Sequence, residues 1–363
     1  MSKNILISGY YGFDNAGDEA VLFSIIRDLR TVLGEEANIT VLSNDVAMTE
    51  ERYKVKAVNR WGKRGLLETI KECDLFISGG GSLLQDVTSK NGILYYLGLI
   101  AVAKYYKKPV LIYAQGIGPI NSARNRFLTA KLLNKVSDIT VRDKESAAEL
   151  QAMRVNKAIV VTADPVLSVG RYGADPTAGR NILSHYGFNE EKKTLAVSLR
   201  PWANEQRFVE QVAIACTQMQ TEGWQLVFVP MQFKQDDRIN EETAFKIKEL
   251  SGEMPIVIKE QLNPAEVISL LQNADMVLAM RLHALIIGAA LSKKVVGLEY
   301  DPKISAFMDS IKNPAYEPIG DVEAEVLLEY LHNDEDTEES GVNDDMIERA
   351  VYPAYLAKEI LSK

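Results

Sequence analysis

Cysteine is scarce in this 363-residue chain, which contains only Cys73 and Cys216. Two cysteines that lie so far apart, without metal-ligand spacing, exclude a disulfide framework and a cysteine-based zinc site. No apolar run reaches the length of a membrane span, and the amino terminus enters a predicted strand directly, which indicates no signal peptide. We therefore expect a cytoplasmic protein with two reduced core thiols and no metal.

Positively charged residues are also fewer than negatively charged ones. The chain has 41 Lys and Arg residues and 50 Asp and Glu residues, which gives a net charge of −9. Nucleic-acid binding needs a basic face, so this balance argues against nucleic acid as a partner. Two local basic clusters are predicted to be solvated helix faces. The alternative is peripheral contact with an anionic membrane at the inner face of the cell. The clusters are Lys54, Lys56, Arg60, Lys63 and Arg64, and Arg124, Arg126, Lys131 and Lys135.

Apolar strand-like runs alternate with helical patterns along most of the chain, which is typical of parallel α/β architecture. A first series of strands is predicted at residues 5–8, 39–42, 75–78, 110–114, 139–141 and 159–161. A second series is predicted at residues 195–199, 226–229, 256–258, 276–279 and 295–298. The length favours two domains of ordinary size.

The predicted fold is therefore two doubly wound Rossmann-like domains, residues 1–172 and 180–320, that face a central cleft in a GT-B-like arrangement. Residues 170–179 are rich in Gly and Pro and are predicted to be the linker. Residues 321–363 are predicted to be C-terminal helices that pack back on the first domain, with the acidic run 334–339 as a solvated loop.

The most informative stretch is the apolar strand 276–279, which is followed by Arg281 and His283 and then by a small-residue helix. A buried strand that feeds a helix places that helix's free N–H groups at the ligand-binding edge of an open α/β sheet. Arg281 adds a fork that matches a carboxylate or phosphate, and His283 adds a group that can transfer a proton near neutral pH. The pattern predicts an anion site with a proton donor.

Three further cations occupy sequence positions similar to that of Arg281. Arg142 and Arg200 each follow a predicted strand, and Lys303 opens another helix at the same edge. Each alone is also compatible with a surface ion pair. Three arginines at equivalent strand ends favour an anionic substrate.

Glycine-rich loops follow several strands of the first half. The loop at 9–19 exposes Tyr10, Tyr11, Asp14 and Asn15, and is compatible either with a capped helix start or with sugar binding. It lacks the Gly-x-Gly-x-x-Gly dinucleotide pattern, so Asp45 at the ribose-acid position is weak support for a nucleotide. The loops at 79–86 and 115–119 allow a ligand to approach the backbone closely.

These blocks together resemble the polysaccharide pyruvyl transferase family, and within it most closely the bacterial CsaB-type enzymes. The resemblance extends over both halves of the chain, through the blocks at 12–19, 79–86, 115–119, 141–143, 281–283 and 300–303. It implies a GT-B-like fold and phosphoenolpyruvate as donor, with no cofactor. It also implies a 4,6-linked pyruvate ketal on N-acetylmannosamine of a lipid-linked secondary cell-wall polymer precursor, a group that S-layer homology domains recognise.

The resemblance also assigns residues. Arg281, Leu282 and His283 match the donor-binding motif, with Arg142 as the preferred second arginine and Arg200 as the alternative; Lys303 is a further donor-side cation. We hypothesise that His283 is the general acid, against the alternative that it only hydrogen-bonds phosphate, with Arg281 assisting it and Asp14 as the base. The predicted acceptor-binding residues are Tyr11, Asp14, Asn15, Gly80, Gly81, Asp86 and Gln115. His185 and His332 are predicted to be solvated.

Two rival functions remain open from the sequence. One is a GT-B glycosyltransferase that uses a nucleotide sugar, which would release a nucleoside diphosphate rather than phosphate. The other is a non-catalytic carbohydrate-binding protein. The clustered arginines count against the second rival, because a neutral sugar does not require them.

Overall fold

The computed structural model describes residues 3–87, 89, 91–173, 175–203, 205–333 and 341–363. It confirms the α/β fold class, with two parallel sheets flanked by helices. The chain divides into two compact units. Residues up to Ser168 together with Asp344–Lys363 form the first unit, and the described residues from Val169 to Asn343 form the second.

The first unit contains a seven-stranded parallel sheet with the order β3-β2-β1-β4-β5-β6-β7. Its strands are β1 (Asn4–Ser8), β2 (Asn38–Ser43), β3 (Lys56–Asn59), β4 (Leu75–Gly79), β5 (Val110–Gln115), β6 (Asp138–Val141) and β7 (Ile159–Val161). Its helices are α1 (Ala16–Leu33), α2 (Val46–Tyr53), α3 (Lys63–Glu72), α4 (Gly92–Tyr105), α5 (Ala123–Leu133), α6 (Lys144–Ala152) and α15 (Asp344–Ser362).

The second unit contains a six-stranded parallel sheet with the order β10-β9-β8-β11-β12-β13. Its strands are β8 (Thr194–Ser198), β9 (Gln225–Phe228), β10 (Ile256–Val257), β11 (Met276–Ala279), β12 (Lys294–Glu299) and β13 (Tyr316–Pro318). Its helices are α7 (Val169–Tyr172), α8 (Pro176–Ser184), α9 (Glu205–Thr221), α10 (Asp237–Ser251), α11 (Pro264–Gln272), α12 (Leu282–Ala290), α13 (Lys303–Ser310) and α14 (Ala324–His332).

Central strands carry the apolar runs that the sequence shows. Every residue of β4, β5, β8 and β11 is buried, as expected for parallel strands covered by helices on both faces. Each sheet has its own hydrophobic core, formed by its inner strands and by the apolar faces of the helices packed on them. These rigid cores hold the loops that leave the carboxyl ends of the strands.

Two edge strands, β3 and β13, were not predicted. Strand β3 reads Lys-Ala-Val-Asn and has no fully buried residue, while β13 is three residues long and ends at Pro318. Short polar segments at a sheet edge lack the apolar run that marks a central strand. Their pairing with β2 and β12 is set by tertiary structure.

The region around residues 170–179 differs from a simple linker. It contains helix α7 and the start of α8, whose cap is Asp175 and whose Gly179 packs against the backbone of Ser269. The two C-terminal helices also belong to different units. Helix α14 packs on α9 in the second unit, whereas α15 packs on α1 in the first. The acidic run 334–339 lies outside the described residues.

Within the described part of the chain, no helix is both long enough and apolar enough to cross a bilayer.

Candidate functional site

Each sheet has one point where the strand order reverses. In the first unit this point lies between β1 and β4, and in the second it lies between β8 and β11. Open α/β sheets bind ligands at the carboxyl ends of the two strands that flank such a point, because the following helices leave on opposite faces and open a crevice. The loops after these four strands therefore define the candidate sites.

In the second unit, Arg200 and Arg281 are brought to neighbouring positions. Strands β8 and β11 pair through Ser198 and Ala279, and each arginine lies two residues beyond its paired residue. The Arg200 N–H also donates to Met280 Sδ at 3.5 Å, which ties the two strand ends together. Two guanidiniums thus follow the two strands that flank the switch point.

Arg281 is held by a carboxylate. Its Nε donates to Asp236 Oδ2 at 3.0 Å, its Nη2 donates to Asp236 Oδ1, and Nη2 also reaches Gln232 Oε1 at 3.3 Å. Asp236 is fully buried and also accepts from the N–H groups of Met231 at 3.2 Å and Gln232 at 2.9 Å. This bidentate pair fixes the orientation of Arg281 and neutralises its charge.

Arg200 is held by aromatic rings instead. Its guanidinium carbon lies 4.5 Å from the ring centre of Tyr300 and 5.4 Å from that of Trp202. The two rings meet edge to face at 4.9 Å. No carboxylate among the residues that the structure describes pairs with Arg200, and its Nε is buried without a hydrogen-bond partner there. Arg200 is therefore the strand-end cation of this unit that keeps an unbalanced charge.

Helix α12 begins beside these two arginines. Its N-cap residue is Arg281, whose side chain makes no cap hydrogen bond, and its first turn contains Leu282 and the half-buried His283. The first N–H groups of a helix have no intrahelical acceptor, and they carry the positive end of the helix dipole. The arrangement can therefore bind an anion between a helix N-terminus and two guanidiniums, with an imidazole in the same turn.

In the first unit, buried polar groups hold the loop after β1. Glu19 Oε1 accepts from the Gly12 N–H at 2.8 Å, and the Tyr11 hydroxyl donates to Gly79 O at 2.9 Å. Asn15 caps α1 by accepting from the Gly17 N–H at 3.1 Å. The loop from β1 is thereby fastened to α1 and to the end of β4.

Asp14 lies on this loop, between residues that are held by hydrogen bonds. Its side chain is exposed, and its φ of 56° lies in the left-handed region that few residues other than glycine adopt. Such a conformation is kept where the surrounding loop imposes it, and here Gly12 and Asn15 on either side are both tied down. The loop thus presents a carboxylate at the switch point of the first sheet.

A sequence model of the polysaccharide pyruvyl transferase family matches residues 15–302. The chain belongs to the polysaccharide pyruvyl transferase family. The matched segment begins at the cap of α1 and ends at the cap of α13, so it contains the switch point of the second sheet with Arg200, Arg281 and His283, whereas β1 of the first sheet precedes it. Asp14 and Lys303 lie one residue outside it.

Solved structures with a similar fold are GT-B-type epimerases and glycosyltransferases. The UDP-GlcNAc 2-epimerase from Methanocaldococcus jannaschii is 13% identical, with a TM-score of 0.70 and 100% of each chain covered. The UDP-GlcNAc 2-epimerase from Neisseria meningitidis, bound to UDP-GlcNAc, is 12% identical, with a TM-score of 0.63 and 100% of each chain covered. The ADP-heptose lipopolysaccharide heptosyltransferase II of E. coli is 14% identical, with a TM-score of 0.55, and 91% of this chain and 97% of that chain are covered. A sequence search of curated proteins found no match.

Several predicted acceptor residues of this pyruvyl transferase turn out to be structural supports. The Tyr11 side chain is fully buried, and burial, together with the nearby Asp18 and Glu19 charges, raises the pKa of its hydroxyl well above the ordinary range. A Cβ on Gly80, whose φ is +88°, would lie 2.3 Å from the Tyr11 hydroxyl oxygen, and one on Gly81 would lie 2.5 Å from Asp18 Oδ1. These glycines are required by packing against the loop, and Tyr11 lies behind the loop rather than on its open side.

Asp86 and Gln115 are also engaged within the protein. Asp86 accepts from the N–H groups of Asn121 at 2.8 Å and Ser122 at 2.9 Å, and from Asn125 Nδ2 at 3.0 Å. Gln115 is fully buried and donates to Ser78 Oγ at 3.0 Å. Asp86 therefore anchors the start of α5, and Gln115 links β5 to β4, so neither side chain is exposed to an acceptor.

Arg142 lies in the first unit and is neutralised there. Its Nη1 donates to Asp164 Oδ2 and its Nε to Asp143 Oδ2, both at 3.2 Å, and its Nη2 reaches Ser82 Oγ in the loop after β4 at 3.3 Å. Burial lowers the pKa of Arg142, but the Asp164 and Asp143 charges outweigh it and the net shift is upward. The preferred second arginine is thus occupied by carboxylates, whereas the alternative, Arg200, is not.

Sequence reasoning missed Asp236 and misread Arg60 as part of a solvated face. Asp236 is the cap residue of α10 and gives no sign in the sequence that it will meet Arg281, which follows it by 45 residues. Arg60 is only 3% exposed. His332, predicted to be solvated, contacts Glu222 Oε2 at 2.7 Å, and Lys303 is exposed at the start of α13.

The described side chains do not form a metal site. In the residues that the structure describes, no three His, Cys, Asp or Glu side chains are grouped so that they could hold an ion.

The buried Glu19 carboxyl leads to a prediction of how the free energy of unfolding changes with pH. Burial raises its pKa, although hydrogen bonds from Tyr53 and the Gly12 N–H and the Arg52 charge oppose that shift. Within the window between the ordinary and the raised pKa, the folded state binds more protons than the unfolded state, so the free energy of unfolding falls as the pH rises. One pKa unit corresponds to about 1.4 kcal/mol.

Glu19→Gln should therefore lose this contribution, and denaturant titrations at several pH values should show a smaller decline across the window. The exposed Glu51→Gln is the control and should follow the parent. Equal slopes for the parent and Glu19→Gln would contradict the prediction.

Proposed function

We propose that this chain transfers pyruvate from phosphoenolpyruvate to two hydroxyls of a sugar, forming a cyclic ketal and releasing phosphate. Membership of the polysaccharide pyruvyl transferase family supports pyruvyl transfer to a polysaccharide. The acceptor that we propose is N-acetylmannosamine of a lipid-linked secondary cell-wall polymer precursor, joined through its 4- and 6-hydroxyls. Peripheral contact with the inner membrane face would bring the enzyme to that lipid.

One observation carries the donor part of the proposal, namely that Arg200 keeps an unbalanced charge beside the fixed Arg281 and the N-terminus of α12. Phosphoenolpyruvate has a carboxylate and a phosphate, which together need more than one fork of donors. Arg200 and Arg281 supply two guanidiniums, and the first N–H groups of α12 supply a third anion-binding element. A neutral donor group would not require this set.

The chemistry follows from the donor's structure. Protonation of C3 by a general acid, proposed to be His283, leaves cationic character at C2, which a first sugar hydroxyl attacks while it gives its proton to a base. The bond between C2 and the phosphate oxygen then breaks, with its electron pair leaving on phosphate. The second hydroxyl attacks C2 and loses its proton, which closes the ketal. One of the two hydroxyl protons replaces the proton consumed at C3, and the other leaves with phosphate.

Asp14 is our proposed base for the acceptor hydroxyl. Its support is an exposed carboxylate on the loop at the switch point of the first sheet. A positioned carboxylate typically contributes general-base catalysis when it comes within hydrogen-bond reach of the hydroxyl proton. Arg142 and Lys303 stay as proposed contacts of the donor, with less support than Arg200, because the first is paired and the second is exposed.

The test is to incubate the purified chain with phosphoenolpyruvate and a lipid-linked disaccharide that ends in N-acetylmannosamine. We expect mass spectrometry to show the addition of one pyruvyl ketal per acceptor, with one phosphate released. Release of a nucleoside diphosphate from a sugar nucleotide, with phosphoenolpyruvate unused, would replace the proposal by a glycosyltransferase. An unchanged acceptor mass with all donors would indicate a binding protein.

Asp236 should strengthen donor binding by holding Arg281 in place. Asp236→Asn keeps the size of the side chain but leaves Arg281 without its carboxylate, and the side chain of Arg281 is only 12% exposed. We expect the KM for phosphoenolpyruvate to rise about tenfold to a hundredfold, because groups that orient a ligand-binding side chain commonly have effects of that size. Steady-state kinetics at saturating acceptor would measure it.

The matched control is Glu242→Gln, which removes an exposed ion pair with Arg238 on the same helix, α10. Exposed pairs of this kind contribute about 0–1 kcal/mol, so its KM and unfolding midpoint should be unchanged. A parental KM in Asp236→Asn would show that Arg281 does not depend on this carboxylate.

A further inference from the structure

An aromatic cluster lies at the carboxyl ends of β1 and β3 in the first unit. Tyr10 and Phe13 stack at 4.1 Å with an interplanar angle of 9°. Trp61 meets Tyr95 at 5.4 Å, and Tyr95 meets Tyr96 edge to face at 5.2 Å. The rings come from the loop after β1, the turn after β3 and the first turn of α4. Tertiary structure thus gathers five rings in one place.

The buried Arg60 side chain packs against four of these rings. Its guanidinium carbon lies between 4.7 and 5.6 Å from four ring centres, those of Phe13, Trp61, Tyr95 and Tyr96. Its Nη1 donates to Gly9 O at 2.9 Å and its Nη2 to the Tyr96 hydroxyl at 3.2 Å, while its Nε is buried without a hydrogen-bond partner among the described residues. The four rings and these two hydrogen bonds stabilise the buried cation.

The outer side of the cluster is open. Trp61 is 59% exposed and Tyr10 is 41% exposed, while Arg60 beneath them is 3% exposed. Large aromatic side chains are usually buried, because each removes a large apolar area from water. Trp61 packs on the buried arginine and Tyr10 stacks on Phe13, which packs on the same arginine, so both exposed rings are held in place.

Polar groups border the open rings. Trp61 Nε1 donates to Asn44 Oδ1 at 3.0 Å, and Asn44 Nδ2 donates to Gly12 O at 3.3 Å, which fixes the indole and the amide together. Asn44 is exposed, and so is Asp14 on the same loop as Tyr10. A flat apolar face with hydrogen-bonding groups at its rim suits a ligand that has both an apolar face and many hydroxyls.

We propose that Trp61 and the stacked pair Tyr10–Phe13 form a platform that binds the uncharged pyranose ring of the acceptor. The proposal rests on the proposed function and deepens it by naming the acceptor's binding surface. The cation of the cluster, Arg60, is covered by the rings, so the surface that Trp61 and Tyr10 offer to a ligand is aromatic rather than charged. A sugar bound here would lie beside the loop that carries the proposed base.

Trp61→Ala tests the platform without touching the donor residues. We expect about a tenfold or greater rise in the KM for a soluble disaccharide that ends in N-acetylmannosamine, with the KM for phosphoenolpyruvate unchanged. Trp61→Phe keeps a ring and should retain most of the acceptor affinity, which a purely structural defect would not predict. Phe127→Ala is the matched control, since Phe127 is 65% exposed in the same unit, and it should behave as the parent.

Saturation-transfer NMR with the disaccharide alone separates this proposal from the reaction. Loss of the sugar signal in Trp61→Ala but not in Phe127→Ala supports the platform, even if phosphoenolpyruvate yields no ketal and the proposed function fails. Unchanged sugar binding and an unchanged acceptor KM in Trp61→Ala would overturn the platform. Loss of binding to phosphatidylglycerol-rich vesicles with an unchanged acceptor KM would also overturn it, in favour of a membrane contact.

Discussion

Replacing Arg200 by alanine is expected to lower kcat/KM for phosphoenolpyruvate by about a hundredfold to a thousandfold, with most of the loss in KM. Removing one positioned donor to a developing oxyanion costs an enzyme about a hundredfold to a thousandfold, and we expect an effect of the same order for an arginine that holds the donor's anionic groups. The Arg200 guanidinium stacks on Tyr300 and Trp202. No carboxylate among the described residues forms an ion pair with it, so its full positive charge can interact with the donor. Initial rates at varied phosphoenolpyruvate and saturating acceptor would give both constants.

Two variants make this result interpretable. Arg200→Lys keeps the charge but loses the planar fork and the stacking, so it should recover only part of the affinity. Arg207→Ala removes an exposed arginine of the same unit that pairs with Glu323 at 2.8 Å, and it should change neither constant. A parental KM in Arg200→Ala would show that the donor lies elsewhere.

Arg142 is the informative comparison, because it was the preferred second arginine. Arg142→Ala would break the buried contact between Arg142 and Asp164, and breaking a buried pair costs about 3–5 kcal/mol. We therefore expect a lower unfolding midpoint for that variant, whereas Arg200→Ala should keep the parental midpoint. Recovery of donor KM in a stabilising buffer would assign Arg142 to the fold rather than to the donor.

His283→Gln is expected to lower kcat by about a hundredfold to ten-thousandfold while phosphoenolpyruvate still binds, if His283 is the general acid. Glutamine can donate a hydrogen bond to phosphate from its amide, but it cannot give up a proton to C3. The wild-type rate should fall as the acid loses its proton at higher pH, and the variant should lack that limb. Calorimetric binding of phosphoenolpyruvate, together with the pH–rate profile, distinguishes the two roles.

The control is His332→Gln, which changes an exposed imidazole that contacts Glu222 in the same unit. It should leave kcat and the pH profile unaltered. Near-normal turnover of His283→Gln with intact donor binding would restrict His283 to hydrogen bonding with phosphate, and a different acid would then have to protonate C3.

The strands of both cores were predictable because their apolar runs are long and uninterrupted. Strands β4 and β11, for example, lie within one residue of the predicted segments. Arg281 and His283 were predictable as a pair because a strand that passes into a helix fixes where the next residues must lie. Asp236 was not, because its bond with Arg281 depends on how α10 packs, and the same holds for the burial of Arg60 under rings from three separate segments.

The α/β class, the resemblance to the family and the loops where chemistry is expected could be read from local patterns of apolar, glycine and charged residues. Which charges stay available depends instead on how the elements pack. Packing pairs Arg142 with Asp164 and Arg281 with Asp236, and it leaves Arg200 stacked on rings. It also turned Tyr11, Asp86 and Gln115 into supports of the loops and exposed Trp61 instead. Charge balance and exposure depend on which side chains contact one another in the folded chain, and sequence spacing does not specify most of those contacts.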